Sequence, residues 1–164
     1  MLYFEKDFYY YKYMKNFMEE ALNLAKKAFR KGEVPIGAVI VKNGKIIAKG
    51  FNKREKSQNA IKHAEIIAIE KACKKEKSWR LEDCDIYVTL EPCPMCAGAI
   101  ANARIRNLYF ACREKTSNEN LCETIMKSNR LNHHTKITIL NEYKDEASQL
   151  LSAFFKEKRK NKTE

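Results

Sequence analysis

No stretch of this 164-residue chain approaches the ~18 apolar residues of a membrane-spanning helix, which excludes a transmembrane reading. Met1 to Tyr13 is aromatic and charged, without the apolar core or small-residue cleavage site of a secretion signal, so no signal peptide is expected. There is no internal repeat, no low-complexity tract and no domain linker. One domain around one core is therefore expected over residues 14–164, preceded by an extension, residues 1–13, that fits no repeating pattern. The six cysteines, Cys73, Cys84, Cys93, Cys96, Cys112 and Cys122, are irregularly spaced. That spacing, without a signal peptide, argues against a disulfide scaffold and for a reducing, cytoplasmic location. Histidine is scarce, with only His63, His133 and His134.

Positive charge is what the chain has in excess. Thirty-two Lys and Arg face 21 Asp and Glu, a formal net charge of +11, while 45% of the residues are hydrophobic. The hydrophobic share supports a packed globule. The charge favours a polyanionic partner, nucleic acid or an anionic surface, and does not by itself separate the two.

Apolar residues Phe17, Ala21, Leu24, Ala25 and Ala28 recur at helical spacing, and Gly32 supplies a stop. Pro35 to Val41 reads as a strand; Asn43-Gly44 is a two-residue hairpin signal that returns Ile46 to Phe51 antiparallel. A polar loop, Lys53 to Lys62, leads to a helix carrying Ala64, Ile67, Ala68 and Ala72. The strand Asp85 to Leu90 follows, then a helix from Pro94 to about Ala103, then the strand Asn107 to Cys112. A helix between these strands implies a crossover, so they should be parallel neighbours. Leu121 to Lys127 suits a short helix and Ile137 to Leu140 a last strand. Asp145 to about Lys158 suits a helix with Ala147, Leu150, Leu151 and Phe154 on one face. The order is that of a three-layer α/β domain with a mixed sheet.

Two local patterns carry chemistry: His63-Ala64-Glu65 and Pro92-Cys93-Pro94-Met95-Cys96, each at a helix start. Singly, each has ordinary readings: a helix-start histidine, a redox pair, half a structural metal site, or buried thiols. Together, one His and two Cys make a donor set suited to tetrahedral zinc. A structural zinc site closes with a fourth protein ligand, whereas a catalytic one leaves that position to water. His133, His134, Cys73, Cys84 and Cys112 are possible fourth ligands, but none belongs to a second ligand-spaced pair. The dipole of the helix that Cys93 and Cys96 start favours thiolate over thiol at both. Glu65 lies roughly 200° round the helix from His63, so it is expected beside the fourth position as a proton shuttle rather than as a ligand.

This His-x-Glu with Pro-Cys-x-x-Cys is the pattern of zinc nucleobase deaminases. From about Phe17 to Arg159 the chain resembles the bacterial transfer RNA adenosine deaminases. The resemblance is carried by Gly32-Glu33-Val34-Pro35-Ile36-Gly37-Ala38-Val39, Asn52, His63-Ala64-Glu65 and Ser78-Trp79-Arg80-Leu81. It continues in Tyr87-Val88-Thr89-Leu90-Glu91-Pro92-Cys93, Met95-Cys96-Ala97-Gly98-Ala99, Leu131-Asn132-His133 and Phe154-Phe155. It implies a three-layer α/β/α, cytidine-deaminase-like fold with a mixed five-stranded sheet. It also implies one Zn2+ per subunit, a homodimer, and conversion of adenosine to inosine at the first anticodon base (wobble position 34) of tRNA. On the same ground Asn52 would hydrogen-bond the flipped base, and an aromatic of Phe154-Phe155 would lie against the anticodon stem-loop. The residues themselves add the basic run Lys156, Lys158, Arg159, Lys160 and Lys162, suited to phosphate contacts.

Three departures from the family pattern stand out. Asn59-Ala60-Ile61 replaces Asp-Pro-Thr, Arg113-Glu114 replaces Arg-Asp, and Ser117 to Leu121 lacks the usual glycine. The family's Asp lies at the ribose of the target nucleotide, which places Glu114 among the expected substrate contacts. Two other readings compete. A deaminase of free guanine or cytosine has no use for a charge of +11, and a zinc-stabilised RNA-binding module has no use for Glu65.

Overall fold

The computed structural model describes residues 2–113 and 120–161, with side chains from Asn16 onward. Five strands form one mixed sheet in the order β2-β1-β3-β4-β5. β1 (Gly37–Lys42) pairs antiparallel with both β2 (Lys45–Phe51) and β3 (Cys84–Leu90). β3, β4 (Asn107–Cys112) and β5 (Lys136–Ile139) run parallel, as the intervening helix implied. The β1–β2 turn puts Asn43 at φ 50 and Gly44 at φ 70, the left-handed pair that a type I′ hairpin requires.

Strand alternation sends each central strand's side chains to two cores. On one face Ala38, Ile40, Ile86, Val88, Leu108 and Phe110 meet α3 (Ala64–Glu76), α4 (Pro94–Asn102) and α5 (Leu121–Met126). On the other, Val39, Val41, Tyr87, Tyr109 and Ala111 meet α1 (Leu2–Arg30) and the start of α6 (Lys144–Lys160). Tyr87 stacks on Tyr109 at 4.5 Å between centroids, and Phe17 tilts against Tyr87 at 5.3 Å. The result is the expected three-layer α/β/α sandwich.

Two differences from the sequence reading concern helices. α1 begins at Leu2, so most of the extension continues the first helix. From Leu2 to Arg30 there is neither glycine nor proline, and aromatic residues cost a helix only a few tenths of a kcal/mol each. Within the polar loop after β2, Arg54–Ser57 forms a single-turn helix, α2.

Two glycines set how closely helices approach the sheet. A Cβ on Gly37 would lie 2.0 Å from the Ala21 carbonyl oxygen of α1, and one on Gly50 would lie 2.1 Å from the Ala64 carbonyl oxygen of α3. Gly50 therefore lets the first turn of α3, which carries Ala64 and Glu65, sit directly against β2.

Candidate active site

The sandwich brings two helix starts together at the same end of the sheet. His63 precedes α3 with an extended backbone, φ −75 and ψ 156, and Cys93 precedes α4 likewise, φ −66 and ψ 168. Pro94 opens α4, where its missing N–H leaves no carbonyl unpaired. The Ala64 amide at the head of α3 donates to Asn52 Oδ1 at 2.9 Å. A buried asparagine thus ties the end of β2 to the turn that aims His63.

His63 Nδ1 lies 3.7 Å from Cys93 Sγ and 3.6 Å from Cys96 Sγ, and the three donor atoms fall within 4.8 Å of one another. This trio can hold a metal ion. Without one, its protons are shared within the cluster. The Cys96 thiol, donating to Cys93, pulls the Cys93 thiol down to about 4 with His63 assisting. The same contact and burial push the Cys96 thiol up, and the Cys93 contact raises His63. Among the described residues no further His or Cys joins the trio. His133 Nε2 sits 2.8 Å from the Ile105 carbonyl oxygen and His134 Nδ1 3.0 Å from that of Met126, so both are engaged elsewhere. Cys73, Cys84, Cys112 and Cys122 form no disulfide and lie outside the cluster.

Glu65, in the first turn of α3, is 3% exposed, and its Oε2 is buried with no hydrogen-bond partner. A buried carboxylate oxygen left unpaired is costly, and such an atom marks a place where a ligand or proton is expected. Burial pushes this carboxyl up to about 7, where it both takes and returns protons near neutrality.

A cleft of about 650 Å³ opens over these residues, lined by Asn52, His63, Glu65 and Cys93 together with apolar Val34, Ile36, Leu90 and Leu151. Such a volume lies in the range of small-molecule clefts. Its rim is cationic: Arg54 from α2, Arg113 from the end of β4 and Arg159 from α6. Arg113 is committed to Glu91 at 3.1 Å, to Asn120 at 2.9 Å and to Glu123, and Arg54 and Arg159 line the same cleft.

The two C-terminal aromatics part company. Phe155 is 45% exposed and lines the cleft, while Phe154 is buried against Phe29 of α1, edge to face at 5.7 Å. Phe154 thus packs in the core, and Phe155 is the aromatic of the two that faces the cleft. Glu114 lies outside the described residues. Sequence reasoning missed Arg54, Glu33 and Glu91 as individuals. Arg54 sits in a polar loop without periodicity, and the two glutamates were visible only inside longer resembling segments.

The family model described as MafB19-like deaminase matches residues 13–159. The chain is 46% identical over 147 residues to the tRNA-specific adenosine deaminase of Bacillus subtilis (strain 168), covering 89% of this chain and 91% of that protein. It is 44% identical over 148 residues to that of Aquifex aeolicus (strain VF5), covering 88% and 95%. A structure solved in work on A-to-I editing by tRNA:A34 deaminases at the wobble position of transfer RNA superposes with a TM-score of 0.78. It has 36% identity and covers 84% of this chain and 99% of that one. The chain belongs to the deaminase family of that model and, within it, to the tRNA-specific adenosine deaminases.

Proposed function

We propose that this protein hydrolyses adenosine to inosine at the first anticodon position of transfer RNA, with His63, Cys93 and Cys96 holding zinc and Glu65 moving the protons. The observation that carries the reading is the buried, unpartnered Glu65 Oε2 beside a two-thiol, one-imidazole trio under an open cleft. The donor set fits zinc. Zn–S bonds of about 2.3 Å and Zn–N bonds of 2.0–2.1 Å at the tetrahedral angle separate N from S by about 3.6 Å, against 3.6 and 3.7 Å here. When bound, zinc supplies the Lewis acidity that makes hydroxide available at neutral pH. Glu65 accepts the proton that water gives up and passes it toward the purine and the departing amine. A C–O bond forms at the base as the C–N bond breaks, and ammonia leaves. Asn52 has its Oδ1 occupied by the Ala64 amide, which leaves its Nδ2 as a donor to an acceptor on the base. Arg54, Arg159 and Phe155 on the rim suit the phosphates and bases beside a flipped-out nucleotide.

The same reading takes residues 14–164 as the catalytic domain and 1–13 as an extension. It makes the working enzyme a cytoplasmic homodimer; among the described residues no helix is long and apolar enough to cross a membrane. An anticodon stem-loop with adenosine at its first anticodon position, incubated with the purified protein, should yield inosine and ammonia in equal amounts. Unchanged adenosine, with zinc bound, would refute the assignment.

A further inference from the structure

Glu33 is 2% exposed, a fully buried carboxylate outside the reacting cluster. It accepts the Glu55 amide on Oε2 at 3.0 Å and the Lys56 amide on Oε1 at 2.7 Å. These are the second and third residues of α2, the amides that an N-cap side chain normally satisfies. The residue at the cap position is Lys53, which makes no side-chain cap hydrogen bond and offers no acceptor. Glu33 therefore caps α2 from a segment 22 residues earlier in the chain.

The position of this turn matters because Arg54, its first residue, stands in the cleft wall. The base of the loop is fixed independently: Asn52 N donates to Ile36 O at 3.2 Å and Lys53 N to Lys62 O at 3.0 Å. Beyond Lys53, the turn's own hydrogen bonds are local, Ser57 N to Lys53 O, Asn59 N to Arg54 O and Gln58 N to Glu55 O. Glu33 ties the turn itself to the wall that carries Val34 and Ile36. We propose that Glu33 is a positioning residue: by capping α2 it fixes Arg54 at the cleft rim and so sets how tightly the RNA strand beside the target base is held. The RNA part of this inference rests on the functional reading above.

The test uses the full-length zinc-loaded protein with Glu33→Gln, Glu33→Ala, Arg54→Ala and the Glu33→Ala/Arg54→Ala double variant. Amide hydrogen exchange reads the cap directly. Exchange at Glu55 and Lys56 should quicken in Glu33→Gln, which turns one acceptor into a donor, while exchange at Ile67, inside α3, stays as in the parent. Fluorescence anisotropy with an anticodon stem-loop RNA should show binding about tenfold weaker for Glu33→Ala, in the range expected for losing hydrogen bonds to a charged group. KM should rise with kcat and zinc content little changed. The double variant should be no worse than the poorer single one, because both act through one turn. Unchanged exchange at Glu55 and Lys56 would overturn the proposal. So would parent-like KM in a folded Glu33→Gln, or fully additive losses in the double variant. A parent protein that neither binds nor deaminates the RNA would instead defeat the functional reading, and the exchange experiment would still decide the cap.

Discussion

Among the described residues, His63, Cys93 and Cys96 are the group whose donor atoms converge closely enough to hold a metal ion, and His63 and Cys93 line the cleft. Replacing Cys96 by Ser removes a soft donor from a buried position, so Cys96→Ser should bind markedly less zinc than the parent in metal analysis; full zinc content in that variant would contradict the ligand assignment. Glu65→Ala should keep both zinc and thermal stability while turnover falls on the order of 10²–10⁴-fold, the usual contribution of a positioned acid–base group. Activity within a few-fold of the parent would mean that another group carries the proton. The aromatic pair gives a cleaner contrast. Phe154 packs against Phe29 and Phe155 faces the cleft. Phe154→Ala should cost about 3–5 kcal/mol in denaturant unfolding. Phe155→Ala should leave stability nearly unchanged and weaken RNA binding. The reverse pattern would contradict the placement of both.

At the scale of elements, the strands and the site-bearing helices were legible because the pleat and the helical turn leave a periodic trace. The apolar face Ala147, Leu150, Leu151 and Phe154 already placed Phe154 inward; the helical turn between neighbours then places Phe155 outward, which the family resemblance alone did not resolve. The full length of α1 was not legible, since its first residues repeat no apolar pattern and only the absence of glycine and proline lets the helix run on. The role of Glu33 was invisible for a different reason: a cap supplied from a distant segment leaves no local spacing to read. Gly50 is similar, because the need for a bare Cα arises only when α3 crosses β2. Gly50→Ala would drive a methyl group against the Ala64 carbonyl. It should destabilise the fold by about 1–3 kcal/mol and, by shifting the start of α3, reduce zinc affinity as well. Parent-like melting and zinc content would show that α3 moves without consequence.

The whole molecule joins a cleft of small-molecule size to a chain with a formal net charge of +11. A deaminase of free bases needs the first and not the second. Binding energy from contacts remote from the reacting carbon lowers the barrier only for a substrate that extends to the rim. Affinity for RNA should therefore fall steeply with salt, with a log–log slope of about −0.7 per phosphate neutralised on a single strand. The most direct test of the account is kcat/KM measured side by side on an anticodon stem-loop, free adenosine, guanine and cytosine, across a series of salt concentrations. Rapid inosine formation is expected in the stem-loop, weakening as salt rises, with the free substrates converted poorly or not at all. Comparable rates on free guanine or cytosine and on the stem-loop, indifferent to salt, would contradict it.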